Sequence, residues 1–151
     1  MLKISKLTDY GTVILSFLAL QPEKVLSASR IAKDVSLTLP TVSKLLKILG
    51  EAKLVTSVRG TGGGYRLGPK PETITLAQVV TALEGNIAMT ECCSTESHCV
   101  LDSLCAVKDN WQIINKTILS ALAEFTLHDM IRPLSVKQLP TLRGIPIKVK
   151  G

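Results

Sequence analysis

At 151 residues the chain has room for one compact domain plus a long helix, which excludes a catalytic cleft between two full-sized domains. Its 18 basic against 12 acidic residues leave a formal charge of +6 and a pI near 9.3, a balance suited to a polyanionic partner. The longest apolar run, Val13 to Leu20, is far too short for a bilayer, and Met1-Leu2-Lys3-Ile4-Ser5-Lys6 carries no signal-peptide pattern, so the sequence reads as cytoplasmic with no membrane partner.

In chain order, Thr8 or Asp9 is placed to cap a first helix whose apolar positions are Tyr10, Val13, Ile14, Phe17 and Leu18, and Pro22 closes it. Ser27 reads as the N-cap of a short second helix with Ala28, Ile31, Ala32 and Val35 on one face. After a turn through Ser36 and Leu37, a third helix starts near Pro40 and buries Val42, Leu45, Leu46 and Leu49, with Gly50 weakening its last turn. Leu54 to Arg59 and Tyr65-Arg66-Leu67 read as two strands joined by Gly60-Thr61-Gly62-Gly63-Gly64, a hairpin wing.

Pro69 and Pro71 mark a loop before Thr75-Leu76-Ala77-Gln78, which has capping-box spacing. Leu76, Val79, Val80 and Leu83 share a face of the helix that follows, and Gly85 stops it. Residues 86–107 lack periodicity and read as a loop. A last long helix is predicted from Asp109 to Ile131, with a two-helix seam at Trp111, Ile114, Ile118, Ala121 and Phe125. Pro133 ends it. The expected fold class is therefore mainly α with a small β-hairpin: a winged helix-turn-helix domain over 1–85, a cysteine-rich loop over 86–107, a dimerisation helix over 108–132 and a flexible basic tail over 133–151.

With its apolar stripe inward, the third helix turns Pro40, Lys44 and Lys47 outward, with Thr41 and Ser43 on the flanks. Hydroxyl and ammonium donors on one face suit base edges and phosphates in a major groove. For the three short helices alone, an ordinary solvated face explains as much. The hairpin changes the balance, because Arg59 and Arg66 flank a glycine turn that lets the backbone approach a minor groove. Ser29 and Gly60 complete the candidate DNA-binding set. A phosphate loop is the poorer reading of the glycines, since no Gly-Lys-Ser/Thr follows and the turn lies between strands.

All four cysteines, Cys92, Cys93, Cys99 and Cys105, fall within fourteen residues. In a reducing compartment such crowding favours metal or redox chemistry over structural disulfides. Cys93, Cys99 and Cys105 have five residues between them each time, so a loop can present three thiolates to one inorganic centre. Zinc stays open, with His98 as a further soft ligand, although no CxxC pair is present. Glu91, Glu96, His98 and Asp102 make the surroundings polar, against a set of merely apolar cysteines.

Val58-Arg59-Gly60-Thr61-Gly62-Gly63-Gly64-Tyr65, preceded by Leu54-Val55 and the helix-turn-helix, closely resembles the wing of the Rrf family of winged-helix transcription regulators, IscR-like proteins among them. The similarity covers residues 1 to about 131. Leu7-Thr8-Asp9-Tyr10 and the cysteine loop resemble the branch regulating SUF-type iron-sulfur assembly, with nitric-oxide-sensing members a near neighbour. The resemblance implies a homodimer joined by the long C-terminal helices and bound to double-stranded promoter DNA, with Thr41, Ser43, Lys44 and Arg59 as DNA contacts. It further implies an iron-sulfur cluster, 2Fe-2S or 4Fe-4S, on Cys93, Cys99 and Cys105. The histidine of IscR-type proteins three residues beyond the last cysteine is here Lys108, which cannot serve while protonated. The fourth ligand is then Asp9, matching a carboxylate that some members supply from the partner subunit, or else His98 or Cys92. A helix N-cap is the alternative role of Asp9.

These residues lead to a DNA-binding regulator, in the first instance a repressor, sensing an iron-sulfur cluster and controlling iron-sulfur assembly genes. The alternative is a cysteine-based redox or nitric-oxide-responsive regulator. An enzyme with a cysteine nucleophile would have only His98 and His128 as bases, and His128 falls on the predicted dimer helix. A scaffold role would leave the wing arginines and outward lysines unexplained.

Overall fold

The computed structural model of the protein describes residues 4–94, 99–100 and 104–134. Among the described residues, six α-helices and one antiparallel hairpin follow in the order α1 (Lys6–Ala19), α2 (Ala28–Asp34), α3 (Leu39–Glu51), β1 (Val55–Val58), β2 (Gly64–Leu67), α4 (Leu76–Glu84), α5 (Lys108–Glu124) and α6 (Leu127–Met130). Single 3₁₀ turns sit at Pro71–Thr73 and Glu91–Cys93. Mainly helical with one two-stranded wing, this is the expected fold class.

The helix pair that organises the domain is built by local rules. Ser27 accepts a hydrogen bond from the Arg30 amide and caps α2, satisfying one of the orphan donors of the first turn. Ser36 takes a φ of 57° in the turn, and the Leu37 amide donates to the Ala32 carbonyl at 3.0 Å. Thr38 then leads into α3 with Pro40 in its first turn, where a missing N–H costs nothing. Val42, Leu45, Leu46 and Leu49 are all 0% exposed and form the centre of the core with Ile14, Leu15, Leu18 and Ile31. Gly50 lies in the last turn of α3, which ends at Glu51.

α1 begins earlier than expected. Ser5, rather than Thr8 or Asp9, is its N-cap and accepts from the Thr8 amide at 3.3 Å. Thr8, Gly11, Ile14, Leu15 and Leu18 face inward, while Val13 is 42% exposed, so the buried face is rotated from the predicted stripe. Small residues account for this: α1 meets α4 where the Leu83 side chain packs on Gly11, and the buried Thr8 hydroxyl donates to Glu84 Oε1 at 2.5 Å. Glu84 also accepts from the Ser5 amide at 2.9 Å, tying the last residue of α4 to the first turn of α1.

Hydrogen bonding by the Ser5 side chain, then Thr8, then the Ser5 amide holds the Glu84 carboxyl below the usual carboxylate range. A lowered folded-state pKa means that this contribution is present above the unfolded value of about 4.3 and is lost as pH falls through the folded value. Glu84→Gln is therefore expected to flatten the acid limb of the stability curve slightly, read as the unfolding midpoint in urea between neutral and acid pH. A limb unchanged in slope would show that the latch adds nothing.

α4 carries the predicted capping box, with Thr75 and Gln78 exchanging hydrogen bonds, and ends at Gly85, whose φ of 83° a β-carbon would oppose. The last helix departs from its predicted course. α5 ends at Glu124, where Phe125 becomes extended, and a separate α6 starts from a second capping box of Thr126 and Asp129. Thr126 bridges to Thr75, the Leu127 amide donates to the Ile74 carbonyl at 2.7 Å, and Leu127 is 0% exposed in the core. The chain thus returns to the core formed by α1 and α3 instead of continuing as one helix to Ile131. No helix among the described residues is long and apolar enough to cross a membrane.

Candidate functional site

α3 presents Pro40, Ser43, Lys44 and Lys47 to solvent and half-buries Thr41, whose hydroxyl lies 2.8 Å from that of Thr38. The outward set expected from the 3.6-residue period is thus assembled on one face of a helix whose other face is fully buried. Ser29 stands exposed on α2, beside the Arg30–Asp34 ion pair at 2.7 Å. That pair holds the Arg30 guanidinium above its usual range, through hydrogen bonding to Asp34 first and charge second.

The wing is fixed to this pair by backbone. β1 and β2 pair Val55 with Leu67, Ser57 with Tyr65 and Val58 with Gly64. Leu26, just before the α2 cap, adds an isolated bridge: its amide donates to the Tyr65 carbonyl at 2.9 Å and its carbonyl accepts from the Tyr65 amide at 2.8 Å. This contact demands glycine at 64, because a β-carbon there would overlap the Leu26 carbonyl. The Gly63 amide closes the turn on the Gly60 carbonyl at 2.9 Å, leaving Arg59 exposed at the tip with Gly60. Arg66 stands on the other face of the hairpin from Tyr65 and lines a cleft with Pro22, Glu23 and His128. The structure therefore groups Pro40, Ser43, Lys44, Lys47 and Arg59 on exposed helix and wing-tip positions and sets Arg66 apart.

A residue that periodicity missed joins them. Lys53, in the turn from α3 to β1, has a φ of 61° and lines a cleft of about 440 Å³ with Lys47, Ser57 and Tyr65. With Ala52 before it and no glycine in the turn, only the shortness of the helix-to-strand junction marks the position in the sequence.

The cysteine loop leaves α4 at Gly85 and is pinned to α5 by Asn115. This buried amide accepts from the Met89 N–H at 3.0 Å and donates to the Ile87 carbonyl at 3.1 Å, so both ends of its dipole are satisfied. Thr90 follows, its hydroxyl donating to Cys93 Sγ at 3.3 Å and lying 3.1 Å from Cys92 Sγ. Cys92 and Cys93 line a cleft with Gln112, Asn115 and Lys116. Cys92, Cys93, Cys99 and Cys105 are free thiols, each half-buried. Among the described residues no three His, Cys, Asp or Glu side chains gather around one point, so Cys93, Cys99 and Cys105 are near in sequence but not drawn together. His98 and the tail beyond Leu134 lie outside the described residues. Asp9 is exposed in the first turn of α1 and does not cap it, which leaves its carboxylate without the structural duty that offered an alternative to ligation. In chemistry, cysteine thiols are donors that suit an iron-sulfur centre.

A helix-turn-helix pair with a backbone-docked wing, outward lysines and hydroxyls on its second helix and an arginine at the wing tip defines a DNA-binding transcription regulator of the winged-helix class. The chain belongs to the Rrf2 family, described as iron-dependent transcriptional regulators, which it matches over residues 4–133. It is 32% identical over 136 residues to the HTH-type transcriptional regulator NsrR of Bacillus subtilis strain 168, covering 87% of this chain and 91% of that one. Among solved structures it resembles CymR, the global cysteine regulator of B. subtilis, at a TM-score of 0.69 and 32% identity, over 87% of this chain and 97% of the other. IscR of T. potens superposes with a TM-score of 0.66 at 29% identity, over 92% and 93% of the two chains.

Proposed function

We propose that the protein is a cytoplasmic homodimeric repressor of iron-sulfur assembly genes of the SUF type, whose hold on promoter DNA is set by an iron-sulfur cluster on Cys93, Cys99 and Cys105. The observation that carries this reading is the pairing of a family described as iron-dependent with a thiol-bearing loop anchored on α5 by Asn115. The partner subunit's Asp9 is the proposed fourth ligand. Dimerisation through α5 is supported by Val107, Ile113 and Ile114, which leave 50%, 53% and 44% of their surfaces exposed on that helix and its N-cap.

When bound, the cluster would supply iron sites able to exchange electrons and ligands. The chain's own residues link that loop to the DNA-binding domain by two routes. Glu84, at the end of α4, holds the first turn of α1 through Ser5 and Thr8, and Asp9 follows directly. Asn115 holds the start of the loop, at Ile87 and Met89, to α5. A change in ligation at Asp9 would thus act on the start of α1, which packs against α3.

Anaerobic reconstitution, iron and sulfide analysis, and titration of a promoter duplex with apo and holo protein test the reading together. Holo protein is expected to contain iron and sulfide and to differ from apo protein in affinity, and Asp9→Ala is expected to alter the spectrum or shorten the lifetime of the centre. Equal affinities would sink the sensor role while leaving DNA binding intact. Identical spectra and lifetimes would sink the Asp9 assignment. A second reading, a thiol-based redox regulator without metal, is favoured by the Thr90 hydroxyl sitting beside both adjacent sulfurs. Protein purified without oxygen that lacks iron and sulfide, yet loses DNA on oxidation, would select it.

A further inference from the structure

The cleft between α3 and the wing has a feature that its neighbours do not explain. Lys53 is held at a φ of 61°, a left-handed backbone angle that L residues other than asparagine and aspartate seldom adopt and that glycine would take without strain. The angle itself is imposed by the turn: the Lys53 amide donates to the Gly50 carbonyl at 3.0 Å, the Leu54 amide donates to the Leu49 carbonyl at 2.9 Å, and β1 begins directly afterwards. The fold needs this backbone shape but not this side chain. Strain retained at one position, with a cation where glycine would be easier, points to a use for the cation.

Its surroundings say which use. The cleft is bounded on one side by Leu46, Lys47 and Gly50 of α3 and on the other by Ser57 and Tyr65, which face each other across the hairpin. The Lys47 and Lys53 side chains and the hydroxyl-bearing residues Ser57 and Tyr65, with Thr56 beside them, therefore line one open recess. Lys53 and Lys47 are both exposed, and neither makes a salt bridge among those found in the described residues. A recognition helix in a major groove and a wing tip in the adjacent minor groove must straddle the sugar-phosphate strand that divides the two grooves. The recess lies between those two elements.

We propose that this cleft seats a phosphate of the DNA backbone, with Lys53 as its principal cation, Lys47 as the second, and the Ser57 and Tyr65 hydroxyls as neutral donors. The assignment rests on the DNA-binding reading and adds to it a positioning contact that carries no base information. Lys53 would set the register of the duplex between α3 and the wing, while the sequence is read by the N-terminal half of α3.

The backbone angle makes the test unusually clean, because removing the cation also removes the strain. Full-length Lys53→Gly, Lys53→Asn and Lys53→Arg are compared with the unchanged protein by thermal unfolding and by fluorescence titration of a promoter duplex and a mixed-sequence duplex over a range of salt. Lys53→Gly is expected to keep or raise the unfolding midpoint, yet to bind both duplexes roughly threefold to tenfold more weakly and to reduce the slope of log affinity against log salt by about 0.9 for each subunit, or about 1.8 for a dimer engaged through both. Lys53→Asn is expected to lose the same slope, and Lys53→Arg to retain it. A Lys53→Gly protein with unchanged affinity and slope would overturn the phosphate seat while leaving the DNA-binding reading in place. So would a Lys53→Arg protein that fails as glycine does, since the charge would then not be the active feature. Loss confined to the promoter duplex would overturn it as well, making Lys53 a base-reading residue. Absence of salt-dependent binding by the unchanged protein would remove both readings at once.

Discussion

Replacement of Gly64 by alanine is expected to detach the wing and to weaken promoter binding by more than about tenfold, while leaving the helix content nearly unchanged. The added β-carbon would overlap the Leu26 carbonyl and come within 2.9 Å of the Ser27 amide nitrogen, both of them backbone atoms that no side-chain rotation can move aside. Relief requires the hairpin to lift from the connector before α2, which breaks the paired hydrogen bonds between Leu26 and Tyr65. Overpacking of this kind costs about 1–3 kcal/mol. The larger effect falls on binding, since Arg59 and the recess between α3 and the hairpin both depend on where the wing sits. Gly62→Ala is the matched control, because no heavy atom lies within 4 Å of a β-carbon at that position. Circular dichroism and duplex titration of the two variants decide the matter, and equal affinities would show that the Leu26 bridge does not hold the wing for DNA.

The second large effect is expected at Leu127. Though it follows the long C-terminal helix, its side chain is 0% exposed within the core of the DNA-binding domain. Leu127→Ala should destabilise the protein by about 2–5 kcal/mol through lost transfer energy and the cavity left behind. At fixed protein concentration this corresponds to roughly 5–20 °C in the unfolding midpoint. Met130→Ala, at a position 40% exposed, should cost far less. A loss at Leu127 below about 1 kcal/mol would be too small for a fully buried leucine and would show that α6 is not docked on the domain in solution. Asp129, whose carboxyl is held below the usual range by the Thr126 amide and hydroxyl, caps that segment from within and would keep its turn intact in either variant.

These two positions also mark where the sequence was and was not readable. The stripe of α3 was legible because burial there is decided by the helix's own period: Val42, Leu45, Leu46 and Leu49 are apolar, fall at i, i+3, i+4 and i+7, and are all inward. The N-cap of α2, the capping box of α4 and the glycine after it were legible for the same reason, each being a bond between residues within four positions. α1 was misread because its inward positions include Thr8 and Gly11, which no apolar template counts. What qualifies them for burial is Glu84 and Leu83, more than seventy residues away in the chain. The break after Glu124 left a local sign, the capping-box spacing of Thr126 and Asp129, but an apolar seam running through Phe125 overrode it. Of the candidate site, the outward faces of α3 and the wing tip could be read directly. Lys53 could not, since its importance lies in a backbone angle and a cleft shared with the hairpin.

By itself, then, the sequence determined the helix-turn-helix, the wing with its glycine turn, the basic outer face of α3 and the crowding of four thiols in one loop. All of these are set by composition and by spacings shorter than a few helical turns. Only the tertiary structure decided the docking of the wing on Leu26, the return of α6 to the core, the latch from Glu84 to α1 and the recess around Lys53. Each of these joins elements far apart in the chain, and the contacts that make them favourable exist only once the shared core has closed. The same division holds for the thiols: spacing brings Cys93, Cys99 and Cys105 into one loop, whereas Asn115 on α5 determines where the start of that loop is held.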